Sequence, residues 1–322
     1  MRVRDERATI YMSPAEFDLA TEEELRRTLA EAVLPPGPTM RPRVVPQRDR
    51  PVTDVLRKLL ADLVDQWIDG ADESWTPRGA AFPASLVVTV IALTAHTHRL
   101  AGAVGVLIDA GFDVETAPMV RSVLEHGVTA QWIVQCGNDA MFEMVDEETR
   151  QRLNIANLVE EVQEVMGLAG AGEIIRGLGE EISSEQTAAH VNARGLDKLC
   201  DDFRGGKSIY LTYRVLSSYV HPGPTISGMY VASEQPPAVQ LEPNRDADPG
   251  GWLYPTCAGL VWAARAVDIL NPERPRRLEL RAAARTLGIP EVLTASDAGW
   301  LRRQRDPRAR RRARVVGRDA QL

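Results

Sequence analysis

The sequence predicts an all-α fold, a helical bundle. Apolar residues recur at helical spacing through most of the chain, as at Val55, Leu56, Leu59, Leu60, Leu63, Trp67 and Ile68. Few segments alternate apolar and polar residues with the period of two that a half-buried strand needs. Gly and Pro punctuate the periodic runs and mark where helices end.

The elements follow in chain order. Ser13-Pro14-Ala15-Glu16 reads as a helix start, with a capping Ser, a Pro at the first helical position and a Glu at the third. That helix is expected to run to about Val33 and to stop at Pro35-Pro36-Gly37-Pro38. With Pro42, Pro46 and Pro51 added, residues 35–51 read as a Pro-rich linker, which makes 1–34 an N-terminal helical appendage. A helical core domain is expected over 52–275. Its first helix starts after Thr53 or Asp54 and ends at Gly70. A long apolar helix covers about 83–110, with Gly111 as its stop. Asp113 is expected to cap the next helix, through about Gln135, and Gly137-Asn138-Asp139 to break it. A charged amphipathic helix follows, to about Met166. The Gly-rich stretch 167–184 is weakly patterned, so no helix is expected there. Helices are expected at about 185–203 and 207–220. His221-Pro222 closes the second, because a residue before proline avoids the helical region. Residues 222–251 read as a long surface loop, followed by a tryptophan-bearing helix over about 255–270. Residues 276–322 are expected to hold short helices, near 275–287 and 291–303, and a basic C-terminal tail. Trp67, Trp132, Trp252 and Trp262 are expected in or at the edge of the core.

Charge is unevenly spread over the 322 residues, whose net charge is −7. Residues 301–322 carry nine Arg against Asp306 and Asp319, a net +7, which leaves −14 on the first 300. An acidic body with a basic tail is not a generic nucleic-acid binder. The tail suits nucleic acid, an acidic partner, its own body, or simple solvation. The start of the chain lacks the apolar run of a secretory signal. The longest stretch with neither a charged residue nor a histidine, Gly79 to Ala95, spans 17 residues and suits a buried core helix rather than a membrane span. Cys136, Cys200 and Cys257 are single and far apart, which excludes a disulfide scaffold and signals neither zinc nor redox chemistry. A cytoplasmic protein with reduced cysteines, no cofactor and no membrane partner is expected.

Several motifs fall away on spacing. Gly205-Gly206-Lys207-Ser208 resembles the end of a phosphate-binding loop, but Asp201 stands where that loop needs glycine. His96 and His98 would lie about 200° apart on a helix and cannot share a metal there. His-Glu-x-x-His, Glu-x-x-His and Gly-x-Ser-x-Gly do not occur, so no metal is expected.

One constellation carries possible chemistry. Arg121 and Glu125 are four residues apart on one helix face and can pair. Tyr213, Ser217 and His221 fall within about 80° on one face of another helix. Arg214 lies two turns before His221 and nearly superimposes on it. At a helix C-terminus the dipole favours the imidazolium. A His with an Arg and hydroxyls nearby is what acid–base chemistry on a phosphodiester needs: the His moves the proton and the Arg holds the phosphate. Arg121 and His126 stand at a similar spacing, but His126 is expected to be a structural histidine beside Glu125.

The segment Arg214 to His221 resembles the Arg-x(4–6)-His motif of the HEPN superfamily, although Val215 stands where that motif usually has Asn, Asp or His. The resemblance implies a helical, metal-independent endoribonuclease of a toxin or phage-defence system, acting on RNA as a homodimer. His221 would be the acid/base, Arg214 the phosphate clamp, and Tyr213, Ser217, Arg121 and Glu125 the supporting shell. The combination Arg121-x-x-x-Glu125 with Tyr213-x-x-x-Ser217-x-x-x-His221-Pro222 also resembles an uncharacterised family of bacterial helical proteins, over about 80–270. The alternative is a non-catalytic binding or interaction module, in which Arg121–Glu125 is a buried pair satisfied by Tyr213 and His221.

Overall fold

The computed structural model describes residues 53–69, 82–166, 170–182, 195–233, 240–241 and 250–304. The chain divides into two units, and the described residues all belong to the second, Arg50–Leu322. The expected appendage and linker, and the tail beyond residue 304, lie outside the described residues.

The described architecture is an all-α bundle. Its core is made by α1 (Thr53–Asp69), α2 (Ala84–Asp109), α3 (Ala117–Cys136) and α9 (Gly250–Leu270). Helix α9 is the hub and packs on each of the other three. From Pro255 to Leu270 every residue of α9 is buried, so its apolar sequence has no solvated face. Its closest neighbour is α3, and two glycines permit the approach. A Cβ on Gly127 would lie 2.8 Å from the Gly259 Cα, and one on Gly259 would lie 2.6 Å from the Val123 carbonyl oxygen. Length and composition alone would let α2 cross a membrane, but in the bundle it packs against α1, α3 and α9.

Two buried glutamines of α3 close on backbone. Gln131 donates to the Trp262 carbonyl at 2.9 Å, Gln135 donates to the Leu293 carbonyl at 2.8 Å, and the Leu293 amide donates to the Gln131 side chain at 3.3 Å. These bonds tie α3 and α9 to the segment after α10 (Arg277–Leu287) and meet the requirement that buried polar groups be paired.

The second layer carries the site. Helix α7 (Gly206–Ser218) packs on α3 through Leu216, and just beyond its end Tyr219 sits edge-on to Trp252 at 5.1 Å. Trp132 donates its indole N–H to Asp202 at 2.8 Å, and the Ser296 amide donates to the Asp202 carbonyl at 2.8 Å. Those bonds hold the turn before α7 between α3 and α11 (Asp297–Gln304). The glycine pair at 205–206 has a local cause. Gly205 takes φ 74°, the left-handed region that favours glycine, and a Cβ on Gly206 would lie 2.6 Å from the Cys200 carbonyl carbon.

Several expectations are corrected. Residues 171–182, expected to be irregular, form α5 (Ala171–Ile182). This helix folds back on α4 (Asn138–Met166), where Arg176 pairs with Glu160 at 2.7 Å and donates to Asn157 at 3.1 Å. Tertiary packing there overrides the low helix propensity of glycine. Of the helix expected at 185–203, residues 185–194 lie outside the described residues, and the remainder holds α6 (Leu196–Cys200). The helix expected from Asp113 begins at Ala117, after one 3-10 turn at Val114–Thr116. Helix α9 starts at Gly250, not near 255. Pro255 has no N–H to give the Gly251 carbonyl, and burial of Trp252 and Leu253 holds the extra turn. The expected loop 222–251 holds α8 (Pro224–Ser227), a 3-10 turn at Gly228–Tyr230, and a short antiparallel ribbon of β1 (Val231–Ser233) and β2 (Gln240–Leu241).

Candidate functional site

Helices α3 and α7 bring five of the six expected site residues to one open cleft. Arg121, Tyr213, Arg214, Ser217 and His221 line it, with Tyr210, Ser218, Pro222, Gly223 and Thr225. Its volume is about 430 Å³. That is within the range of small-ligand sites, which run from about 300 to 1,000 Å³.

The α7 residues reach the cleft by helical phasing, since positions three, four and seven or eight apart share a face. Just beyond α7 the chain keeps turning. The His221 amide donates to the Ser217 carbonyl at 3.2 Å, and the Val220 amide donates to the same carbonyl at 3.1 Å. His221 is thereby held one turn past the helix end, with its ring exposed. Pro222 and Gly223 then redirect the chain into α8, which delivers Thr225.

Arg121 crosses from α3 to α7. Its guanidinium donates to the Tyr213 hydroxyl and lies over the Tyr213 ring, 4.5 Å from the centroid. Tyr213 also stacks with Tyr210, with centroids 6.1 Å apart and planes 19° from parallel. The Ser217 hydroxyl donates to the Tyr213 carbonyl at 2.8 Å, which leaves its lone pairs for the cleft. Arg214 is exposed and makes no hydrogen bond or ion pair among the described residues.

Glu125 does not join this group. It lies one turn along α3 from Arg121, outside the cleft lining, and makes no ion pair with Arg121. Burial pushes its carboxyl pKa up, and the Arg121 charge partly offsets that. The expected Arg121–Glu125 pair is therefore replaced by Arg121–Tyr213. A tyrosine hydroxyl across the helix interface reaches the guanidinium that the same-helix carboxylate does not.

His126 is also outside the cleft. Its ring faces His96 on α2 with centroids 5.3 Å apart, and burial, with help from His96, lowers its pKa to about 4. His98 is buried and stacks on Trp67 at 4.5 Å. The buried Cys200 and Cys257 thiols are pushed up to about 12, chiefly by desolvation, so neither is a nucleophile. Among the described residues no three His, Cys, Asp or Glu side chains converge as metal ligands.

Sequence reasoning missed Tyr210, Ser218 and Thr225. Tyr210 lies three residues before Tyr213, so the same helical phasing marks it. Thr225 carried no signal, because it reaches the cleft only through the turn at Pro222-Gly223.

Two guanidinium groups and an imidazole meet at this cleft, and no carboxylate lines it among the described residues. In a chain of net charge −7, that is a locally cationic surface. Arg offers fork-like donors suited to phosphate oxygens.

Comparison with known proteins places a family of unknown function (DUF5677) on residues 88–236. The matched stretch contains all six expected site residues and both helices that build the cleft, but not α9. No curated protein and no solved structure matches the chain.

Proposed function

We propose that the cleft between α3 and α7 is the active site of a HEPN-like, metal-independent endoribonuclease. The observation that carries this is the set of side chains at the cleft: Arg121, Arg214 and His221, with hydroxyls and no lining carboxylate. The ribose 2′-oxygen attacks the adjacent phosphorus, and the bond from phosphorus to the 5′-oxygen breaks. The products are a 2′,3′-cyclic phosphate and a 5′-hydroxyl. One proton leaves the 2′-hydroxyl and one reaches the 5′-oxygen. His221 handles one of these transfers, and His221 of the partner subunit in a homodimer handles the other. Arg214 holds the phosphate, and Arg121, fixed by Tyr213, stabilises its developing charge. Tyr213 and Ser217 position this group, and Glu125 acts only through Arg121.

The competing proposal is a non-catalytic module that binds a partner protein or small ligand, with the same residues as a structural network; a His221 buried against Arg121 and Glu125 would support it. An exposed His221 supports the catalytic proposal instead. The setting we propose is a cytoplasmic toxin or phage-defence system.

The test is cleavage of single-stranded RNA in EDTA by wild type and His221→Ala, with both folds checked by circular dichroism. The wild type is expected to cleave, and the variant to be slower by about 100- to 10,000-fold, the usual range for a lost acid–base group. If no RNA is cut by the wild type, the proposal falls.

A further inference from the structure

We infer that Tyr210 is a stacking platform for an unpaired base, so that the ligand of the cleft is a single-stranded nucleotide chain read through one base face. The identity of that ligand rests on the ribonuclease proposal above; the role of Tyr210 rests on geometry of its own.

Arg121, Arg214 and two aromatic rings line the same cleft. Tyr210 and Tyr213 lie nearly parallel, 19° apart in plane and 6.1 Å between centroids, and both line the cleft. Tyr213 is already engaged, since Arg121 lies over its ring and bonds its hydroxyl. Tyr210 makes no hydrogen bond among the described residues, and its described ring contact is with Tyr213 alone. It is only half-buried, although its helix is anchored in the core by Leu216. Tyr210 packs partly against the core and lines the polar cleft with the rest of its surface, and an aromatic ring so placed can stack on a flat ligand.

The charges explain the rest of the ligand. Arg214 follows Tyr210 by four residues, one helical turn, so a cation and a ring occupy adjacent steps of the same helix face. A phosphate on Arg214 with a base on Tyr210 matches the alternation of charge and ring along a nucleotide strand. The cleft volume of about 430 Å³ is of the size that holds one small ligand unit. A base paired in a helix hides its face in the stack, whereas a splayed single strand presents it. Every base has such a face, so the platform selects strandedness and tolerates sequence.

The experiment uses the full chain carrying His221→Ala, in EDTA, so that bound RNA is not cut. Fluorescence anisotropy compares a ten-nucleotide single-stranded oligoribonucleotide with an abasic ribose-phosphate chain of the same length and charge. The oligoribonucleotide is expected to bind about tenfold tighter, at the low end of the effect of one stacked base. Tyr210→Ala should erase that preference while leaving the abasic chain's affinity unchanged. Tyr210→Trp should restore it. Equal affinity for the two chains, a preference that survives Tyr210→Ala, or no binding of either would each overturn the inference. The ribonuclease proposal fails separately: a wild type that binds RNA with this preference and never cuts it keeps the platform and loses the chemistry.

Discussion

The substitution Gly127→Ala puts the α3–α9 crossing to a quantitative test. In a helix, alanine is favoured over glycine by about 0.8–1.0 kcal/mol, so on local grounds the change should stabilise. The crossing reverses that sign. The new Cβ would lie 2.8 Å from the Gly259 Cα, whereas carbon atoms in contact prefer about 3.5–4.0 Å. The two most closely packed helices of the core must therefore separate by about 1 Å. A gap of that size forfeits about a quarter to a half of the dispersion attraction across the opened surface, and overpacking of this kind typically costs about 1–3 kcal/mol. Gly102→Ala in α2 is the control, because its Cβ would meet the Val64 Cγ1 at 3.8 Å, an ordinary contact. Both changes gain the same propensity, so their difference isolates the crossing. Urea denaturation followed by far-ultraviolet circular dichroism reads the result as a shift of midpoint at constant m. Gly102→Ala should move the midpoint up and Gly127→Ala should move it down. If Gly127→Ala also raises the midpoint, the two helices do not cross as described.

Three further outcomes are expected. His98 is buried with its pKa lowered from 6.5 to about 4, mainly by desolvation, so the unfolded chain binds its proton more readily. Its contribution is fully present above about pH 6.5 and is lost as pH falls toward 4, up to about 3 kcal/mol. His98→Phe, which keeps a ring against Trp67, should remove about one proton from the acid slope of stability measured by urea titration at several pH values. Arg265 and Asp268 form an ion pair that is 0% and 1% exposed. Arg265→Leu should cost about 3–5 kcal/mol by leaving a buried carboxylate, and the double change with Asp268→Leu should recover part of that in a double-mutant cycle. Tyr213→Phe removes the acceptor of the Arg121 guanidinium. It should lower stability by about 1 kcal/mol in the same denaturation assay, and lower cleavage activity by more than Glu125→Gln does.

The core was legible where pattern and punctuation agree. Helices α1, α2 and α3 follow from apolar spacing, and the stops at Gly111 and Gly137 coincide with positive φ values of 82° and 70°. Helix α5 was hidden because its glycines weaken every local signal, and only its packing on α4 makes it helical. The first turn of α9 was hidden by Pro255, which local rules place at a start and burial places inside. For the site, phasing along α7 was enough to collect Tyr213, Ser217 and His221 with Arg214. The partner of Arg121 was not legible, since it depends on where α7 lies across α3, and spacing within one helix pointed to Glu125 instead.

In the proposed reaction His221 moves the protons, Arg121 and Arg214 hold the phosphate and its developing charge, and the ribose hydroxyl is the nucleophile. Identification of the RNA ends after incubation with the wild-type chain in EDTA tests it most directly. A 2′,3′-cyclic phosphate and a 5′-hydroxyl are the expected ends. A 3′-hydroxyl with a 5′-phosphate, cutting that needs an added divalent cation, or intact RNA would contradict the proposed reaction.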